Sequence, residues 1–236
     1  MASARATGRE QPAALSDAGP IALRKREAAY AAAEEVRDGM RVGLGTGSTV
    51  AFLLQALGER ASALDKLRCA ATSPQTAEAA RALGLVVQEL DELGELDLAI
   101  DGADQVDPEG WLVKGGGAAH TREKIVAAAA ERFVVIVSAE KIVERLGAPI
   151  PLELVPFAVQ TTLGALGRAQ LRDVPRSPDG GLIADYLGDV GDPRALATRL
   201  SEQPGVVEHG LFAPEMVSSV VIAGESGVER RAGAKS

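Results

Sequence analysis

The chain has 236 residues, with 33 acidic against 25 basic side chains and a formal charge of −8. Non-specific nucleic-acid binding depends on a lysine and arginine surplus to displace counterions from phosphates, so that class of function is disfavoured. With 46% hydrophobic and 25% charged residues, the composition is that of a soluble globular protein of one large domain or two smaller ones. The single cysteine, Cys69, excludes an internal disulfide framework and a cysteine-based zinc cluster. Two distant histidines, His120 and His209, leave acid–base chemistry mainly to carboxylates and lysines. No apolar run approaches the roughly 20 residues that span a bilayer. Residues 1–20 lack the apolar stretch of a secretory signal and read as a flexible tail. With the lone thiol, this points to the cytoplasm.

Residues 23–38, LRKREAAYAAAEEVRD, are strong helix formers that stop at Gly39. A short strand from Met40 to Leu44 runs into glycines at 43, 45 and 47. Beyond that loop Val50, Leu53, Leu54, Leu57, Ala61 and Leu64 fall on one helical face. The order then repeats: Leu67 to Ala71 as strand, Gln75 to Leu83 as helix, and Leu85 to Leu90 and Leu96 to Ile100 as strands. A short strand follows from Trp111 to Lys114, then a helix from Thr121 to Arg132 and a β-branched strand from Phe133 to Val137. This alternation predicts an α/β fold, a Rossmann-like, mostly parallel sheet with helices on both faces.

The pattern changes near Gly147. From Pro151 to Phe212 the chain reads PLELV as strand, Val159 to Gln170 as helix, LRDV and GLIADYL as strands, Pro193 to Glu202 as helix and VVEHGLF as strand. That β-α-β-β-α-β order is the ferredoxin-like α+β arrangement. The last apolar segment, SSVVIAG at 218–224, is expected to return to the first sheet. The small domain, 148–213, is then an insertion between residues 21–147 and 214–236.

Three loops can carry chemistry. GLGTGST, Gly43 to Thr49, lies between a strand and a helix. Its backbone amides, the hydroxyls of Thr46, Ser48 and Thr49 and the helix dipole would hold an anion such as phosphate; otherwise its glycines only make a tight turn. Ser48 stands where a dinucleotide fingerprint needs its third glycine, and no Gly-Lys-Ser/Thr is present for a Walker loop. DGADQVD, Asp101 to Asp107, follows the strand LDLAI, so Asp101 and Asp104 should face the same crevice. Two close carboxylates can divide acid and base roles, although an Asx-type turn explains the same residues. In KGGGAAHTREKIV, three glycines permit close backbone approach beside Lys114. Thr121 can cap the next helix, which puts Glu123 in its first turn, where the dipole alone also favours a glutamate. His120 reads as a solvated or capping residue, His209 as structural, Cys69 as an inert core residue and Lys141 as either a crevice or a surface lysine.

Together and in this order, the three loops resemble ribose-5-phosphate isomerase of the A type. The likeness extends through KREAAYAAAEEVRDGMRVGLGTGST, IPLELVPFAV and VVEHGLFAPEMVSSVVIAG, from about residue 22 to 224. It implies interconversion of ribose 5-phosphate and ribulose 5-phosphate by a homodimer or homotetramer, without metal or organic cofactor. It also implies a substrate loop at Thr46, Gly47, Ser48 and Thr49, a paired-aspartate loop at Asp101, Gly102, Ala103 and Asp104, and a lysine–glycine loop at Lys114, Gly115, Gly116 and Gly117. Glu123 matches the family's base and Lys141 a substrate-binding lysine. Gln105 stands where the family often has glutamate, Glu140 where a serine is usual, and SPDGG where Asp-Asn-Gly-Asn is common. On this pattern Glu123 moves a proton between C2 and C1, Asp101 relays a proton in ring opening, and Lys114, a protonated Asp104 and the glycine-loop amides stabilise the enediolate. A sugar-phosphate sensor without catalysis would lack the base or the lysine and carry a DNA-binding helix pair. A dinucleotide-dependent enzyme is disfavoured by Ser48.

Overall fold

The computed structural model describes residues 19–235, so most of the expected N-terminal tail lies outside it. Helix α1 (Pro20–Ala33) starts with a proline in its first turn and buries Ala28, Ala29, Ala32 and Ala33. These small side chains let it lie close to the sheet. Next come β1 (Arg41–Leu44), α2 (Ser48–Gly58), β2 (Arg68–Ala71), α3 (Pro74–Ala82), the single turn α4 (Leu90–Leu93) and β3 (Leu96–Asp101). Two-residue strands β4 (Gln105–Val106) and β5 (Leu112–Val113) precede α5 (His120–Ala129) and the long strand β6 (Ala130–Ser138). The small sheet is built from β7 (Ile150–Leu154), α6 (Val159–Leu166), β8 (Ala169–Leu171), β9 (Leu182–Tyr186), α7 (Pro193–Ser201) and β10 (Val206–His209). The chain closes with β11 (Leu211–Phe212), β12 (Ser219–Gly224) and β13 (Gly227–Ala232).

Among the described residues the main sheet runs β13-β12-β6-β3-β1-β2. Every pairing in it is parallel except β12 with β13. Alternation along β6 divides the core between its two faces. Val134 and Ile136 join Val42, Leu44, Leu98 and Ile100 beneath α1 and α2. Phe133, Val135 and Val137 face the other way, against Val126 and Ala127 of α5. The second sheet is antiparallel, ordered β10-β7-β9-β8, and its core packs Ile150, Leu152, Leu154 and Tyr186 with Leu166, Leu196 and Leu200.

The segment 218–224 does return to the first sheet, as β12 beside β6. Other expectations are corrected. Leu85 to Leu90 forms no strand; Val87 makes an isolated bridge to Cys69, and the chain turns into α4. The helix expected to reach Gln170 stops at Gly167, whose φ is +74°. VVEHGLF is two strands, because the chain turns at Gly210. Gly210 N donates to Pro151 O at 2.7 Å, and Gly210 O accepts from Lys114 N at 2.8 Å. The second piece, β11, joins β5 and β4 in a third sheet whose strands are too short to show a period-two pattern. Among the described residues no helix is long and apolar enough to cross a membrane.

Candidate active site

Because β1 and β3 are parallel neighbours, the loops beyond their carboxyl ends meet. Gly45 N donates to Ile100 O at 3.0 Å, and a Cβ on Gly45 would overlap the Asp101 carboxyl. Gly47, at φ +126°, then turns the chain into α2, whose first turn has no side-chain cap. Those open amides and the helix dipole form a seat for an anion. Lys25, reaching from α1, donates to Ser48 Oγ at 2.9 Å and adds positive charge at the same place.

The loops enclose a cavity of about 220 Å³. Thr46, Gly47, Ser48, Thr49, Gly102, Ala103, Asp104, Lys114, Gly115, Gly116, Gly117, Glu123 and Lys141 all line it, as do Lys25 and Val50. The departure at Glu140 leaves Lys141 in place, since the Glu140 carboxylate accepts from Ser138 Oγ at 2.6 Å. Gln105 uses both ends of its amide on Gly147, donating to its carbonyl at 2.9 Å and accepting from its N–H at 2.8 Å, which a carboxylate could not do. A larger cleft of about 790 Å³ lies elsewhere, between α3, α5 and the small sheet. It is lined by apolar side chains such as Ile125 and Val155 and crossed by the Arg122–Asp179 ion pair. Asp101, Asp104, Lys114 and Glu123 are all absent from its lining.

At the floor of the smaller cavity sits a buried cluster. Lys114 Nζ lies 2.8 Å from Asp101 Oδ2 and 3.2 Å from Glu123 Oε2, and it donates to Gly102 O at 2.6 Å. All three side chains are at most 4% exposed. One ammonium therefore faces two carboxylates in a low-dielectric site. Burial first, and then the charge of Asp101, push the Glu123 carboxyl up to about 8 against the pull of Lys114. Burial likewise raises Asp101, opposed by Lys114 and by backbone N–H groups. Burial would lower the lysine, but the two carboxylates outweigh it and hold Lys114 above the ordinary range. A carboxyl poised near neutrality beside a fixed positive charge is equipped to take up and release a proton.

Four expectations change here, those on Asp101, Thr46, Thr121 and His120. Asp101 does not line the cavity; it stands behind Lys114, with Oδ1 accepting from Thr46 N at 3.1 Å and Gly102 N at 2.7 Å. Asp104 is the aspartate on the wall, and its Oδ2 accepts from Gly116 N at 2.8 Å. Thr46 does reach the cavity, but its amide is committed to Asp101 and its hydroxyl to Ser73 at 2.9 Å, which leaves Ser48 and Thr49 as the hydroxyls for an anion. Thr121 caps nothing: Ala119 is the cap residue of α5, and the Thr121 hydroxyl bonds Glu153 of β7. His120 is neither solvated nor capping but fully buried, because α5 packs against β10; burial and Lys124 push it down to about 4. His209 is also buried and Cys69 is a core residue, with its thiol pushed up to about 12 by burial. Lys25 was not foreseen from sequence, since it belongs to a charged helix 21 positions before Thr46.

Comparison with known proteins identifies the family. Residues 68–227 match the family model of ribose 5-phosphate isomerase A, also called phosphoriboisomerase A. Ribose-5-phosphate isomerase A of Rhodopseudomonas palustris (strain HaA2) is 45% identical over 221 residues, covering 86% of this chain and 95% of that protein. The corresponding protein of Ruegeria sp. (strain TM1040) is 46% identical, covering 91% and 89%. The structure of ribose 5-phosphate isomerase A from Methanocaldococcus jannaschii superposes with a TM-score of 0.83 at 35% identity, covering 88% of this chain and 97% of that one. A D-ribose-5-phosphate isomerase in complex with phospho-erythronic acid gives 0.85 at 33% identity, covering 90% and 99%. The chain belongs to the ribose 5-phosphate isomerase A family.

Proposed function

We propose that the chain interconverts D-ribose 5-phosphate and D-ribulose 5-phosphate through an enediolate, by general acid–base catalysis without metal or organic cofactor. A base takes the proton from C2 and returns it to C1, while the hydroxyl at O2 loses a proton and the oxygen at C1 gains one. Glu123 is that base. Its carboxyl, raised to about 8, is a far stronger proton acceptor than an ordinary glutamate, and this class of catalysis contributes roughly 10² to 10⁴-fold. Lys114 and the amides of Gly115 and Gly117 face the negative charge that develops on the sugar oxygens, the Gly116 amide being committed to Asp104. Asp104, on the cavity wall, exchanges the proton needed to open the furanose ring, and Asp101 acts through Lys114. Lys25, Lys141, Ser48, Thr49 and the first turn of α2 hold the phosphate. They supply locally the positive charge that a chain at −8 lacks overall.

The observation that carries this reading is the buried Glu123–Lys114 contact of 3.2 Å in a cavity that also contains an open helix N-terminus. Phospho-erythronic acid, the ligand of the relative at 33% identity, is a phosphorylated sugar acid of the same chemical kind. The reading extends to the non-oxidative branch of the pentose phosphate pathway, to the cytoplasm and to a homodimer or homotetramer. It treats residues 148–213 as a small domain inserted between 21–147 and 214–236. Glu123→Gln keeps the shape of the base and removes its function. Ketose formation from ribose 5-phosphate should fall by at least about a hundredfold, and a wild-type rate would refute the assignment.

A further inference from the structure

Behind the glycine loop lies a group of hydroxyls that the scheme above does not use. Thr72, Ser73 and Thr76, at the turn from β2 into α3, are 1%, 7% and 6% exposed, and none lines the small cavity. Thr76 Oγ1 donates to Gly45 O at 3.0 Å. A carbonyl only accepts, so this bond uses the proton of Thr76, and its oxygen must then accept from Ser73 Oγ, 3.0 Å away. By the same count Ser73 accepts from Thr46 Oγ1 at 2.9 Å, and Thr46 accepts from Thr72 Oγ1 at 2.8 Å. Every hydroxyl donates once, and the run has one direction, Thr72 to Thr46 to Ser73 to Thr76 to the carbonyl of Gly45.

That carbonyl belongs to the same peptide group as Thr46 N, which donates to Asp101 Oδ1 at 3.1 Å. A donor on the carbonyl side of a peptide polarises it and strengthens the donor on its nitrogen side, and successive hydrogen bonds reinforce one another in this way. The peptide thus links a buried set of hydroxyls to the carboxylate that faces Lys114 at 2.8 Å.

We propose that Thr76, supported by Ser73 and Thr72, is a positioning residue for the isomerisation, acting through the Gly45–Thr46 peptide on Asp101 and hence on Lys114. The inference rests on the reading that Asp101 serves catalysis through Lys114, which Asp101→Asn tests separately. If that variant isomerises at the wild-type rate, the reading itself fails, whatever Thr76 does.

The experiment compares Thr76→Val, Thr76→Ser and Thr72→Val by steady-state kinetics on ribose 5-phosphate, with kcat referred to folded enzyme, and follows the Thr46 amide proton by NMR. Thr76→Val should lower kcat about fivefold, the worth of one ordinary hydrogen bond, while KM stays within about twofold. The Thr46 amide proton should move upfield as its bond to Asp101 weakens. Thr76→Ser keeps the hydroxyl and should restore both. An unchanged kcat in Thr76→Val overturns the proposal. So does a loss confined to KM, or a loss of kcat with the Thr46 resonance unmoved. If Thr76→Val does not fold, Thr72→Val decides: it should give a smaller fall in kcat with the same upfield direction, and a wild-type kcat and resonance there overturn the proposal equally.

Discussion

Lys114 and Lys124 press on the same aromatic ring, with their ammonium groups 5.4 and 4.9 Å from the Phe212 centroid, yet their surroundings are opposite in charge balance. Lys114 faces two carboxylates, Asp101 and Glu123. Lys124 has one, Glu208 at 2.6 Å, and completes its shell with the His209 carbonyl at 2.7 Å. Burial lowers Lys124, with Glu208 only partly opposing it, whereas Lys114 is raised. Burial works against ionised Glu208, but Lys124 outweighs it and the carboxyl ends below its ordinary range. Glu123 goes the other way, up to about 8. A balanced buried pair keeps its charges fixed. A surplus carboxylate beside a committed ammonium leaves one proton whose position is negotiable near neutral pH, and that is the property a base for carbon acids needs.

Removing each lysine in turn separates the two clusters most sharply. Lys114→Met leaves two buried carboxylates without a partner, so unfolding free energy should drop by about 3–5 kcal/mol and kcat by at least about a hundredfold. Lys124→Met strands one partly exposed carboxylate and should cost less, about 2 kcal/mol, with kcat of the folded enzyme within about tenfold of wild type. Denaturant unfolding and ketose formation measure both. Equal kinetic losses would mean that the two clusters do not differ in function.

The pH dependence of stability separates the same regions more gently. His120 and His209, both packed around Lys124, are held at about 4 against 6.5 in a model histidine, burial being the main cause. The unfolded chain therefore binds more protons between pH 6.5 and 4, and stability falls as pH drops through that window, on the order of 3 kcal/mol for each histidine. Glu123 has the opposite sign. Its folded value of about 8 lies above the model value of 4.5, so its contribution is complete below pH 4.5 and is lost as pH rises to about 8. Thermal melts should show a maximum near pH 6.5, with an acid side governed by the Lys124 cluster and an alkaline side governed by the Lys114 cluster. Glu123→Gln should flatten the alkaline side and, by removing the opposing slope between pH 4.5 and 6.5, steepen the acid side.

The sequence was most informative where chemistry demands unusual residues. The glycine run 115–117, the glycines around Thr46 and the aspartate pair announce close backbone approach and charge, and alternation of strand and helix fixed the order that brings them together. It was least informative where a role depends on contacts far along the chain. Nothing in the charged face of α1 distinguishes Lys25 from Lys66 or any other surface lysine until α1 packs on α2. Thr72, Ser73 and Thr76 look like a helix-capping turn, which Ser73 indeed provides by accepting from Thr76 N; their second role exists only because β1 lies beside β2. The burial of His120 follows from α5 meeting β10, residues 85 positions apart making the contact through Lys124 and His209. The placing of Asp101 behind Lys114 rather than on the cavity wall depends on Lys114 crossing over Gly102, which no local pattern encodes.

Burial, together with the sharing of one ammonium by two carboxylates, raises the Glu123 carboxyl to about 8. The most direct measurement is the titration of the Glu123 side-chain carboxyl by carbon-13 NMR in the free enzyme, assigned by difference from Glu123→Gln. The expected result is a midpoint near 8 that moves part of the way down when Asp101 is replaced by asparagine, burial holding the remainder. A midpoint at the ordinary glutamate value of about 4.3, unmoved by that replacement, would contradict it.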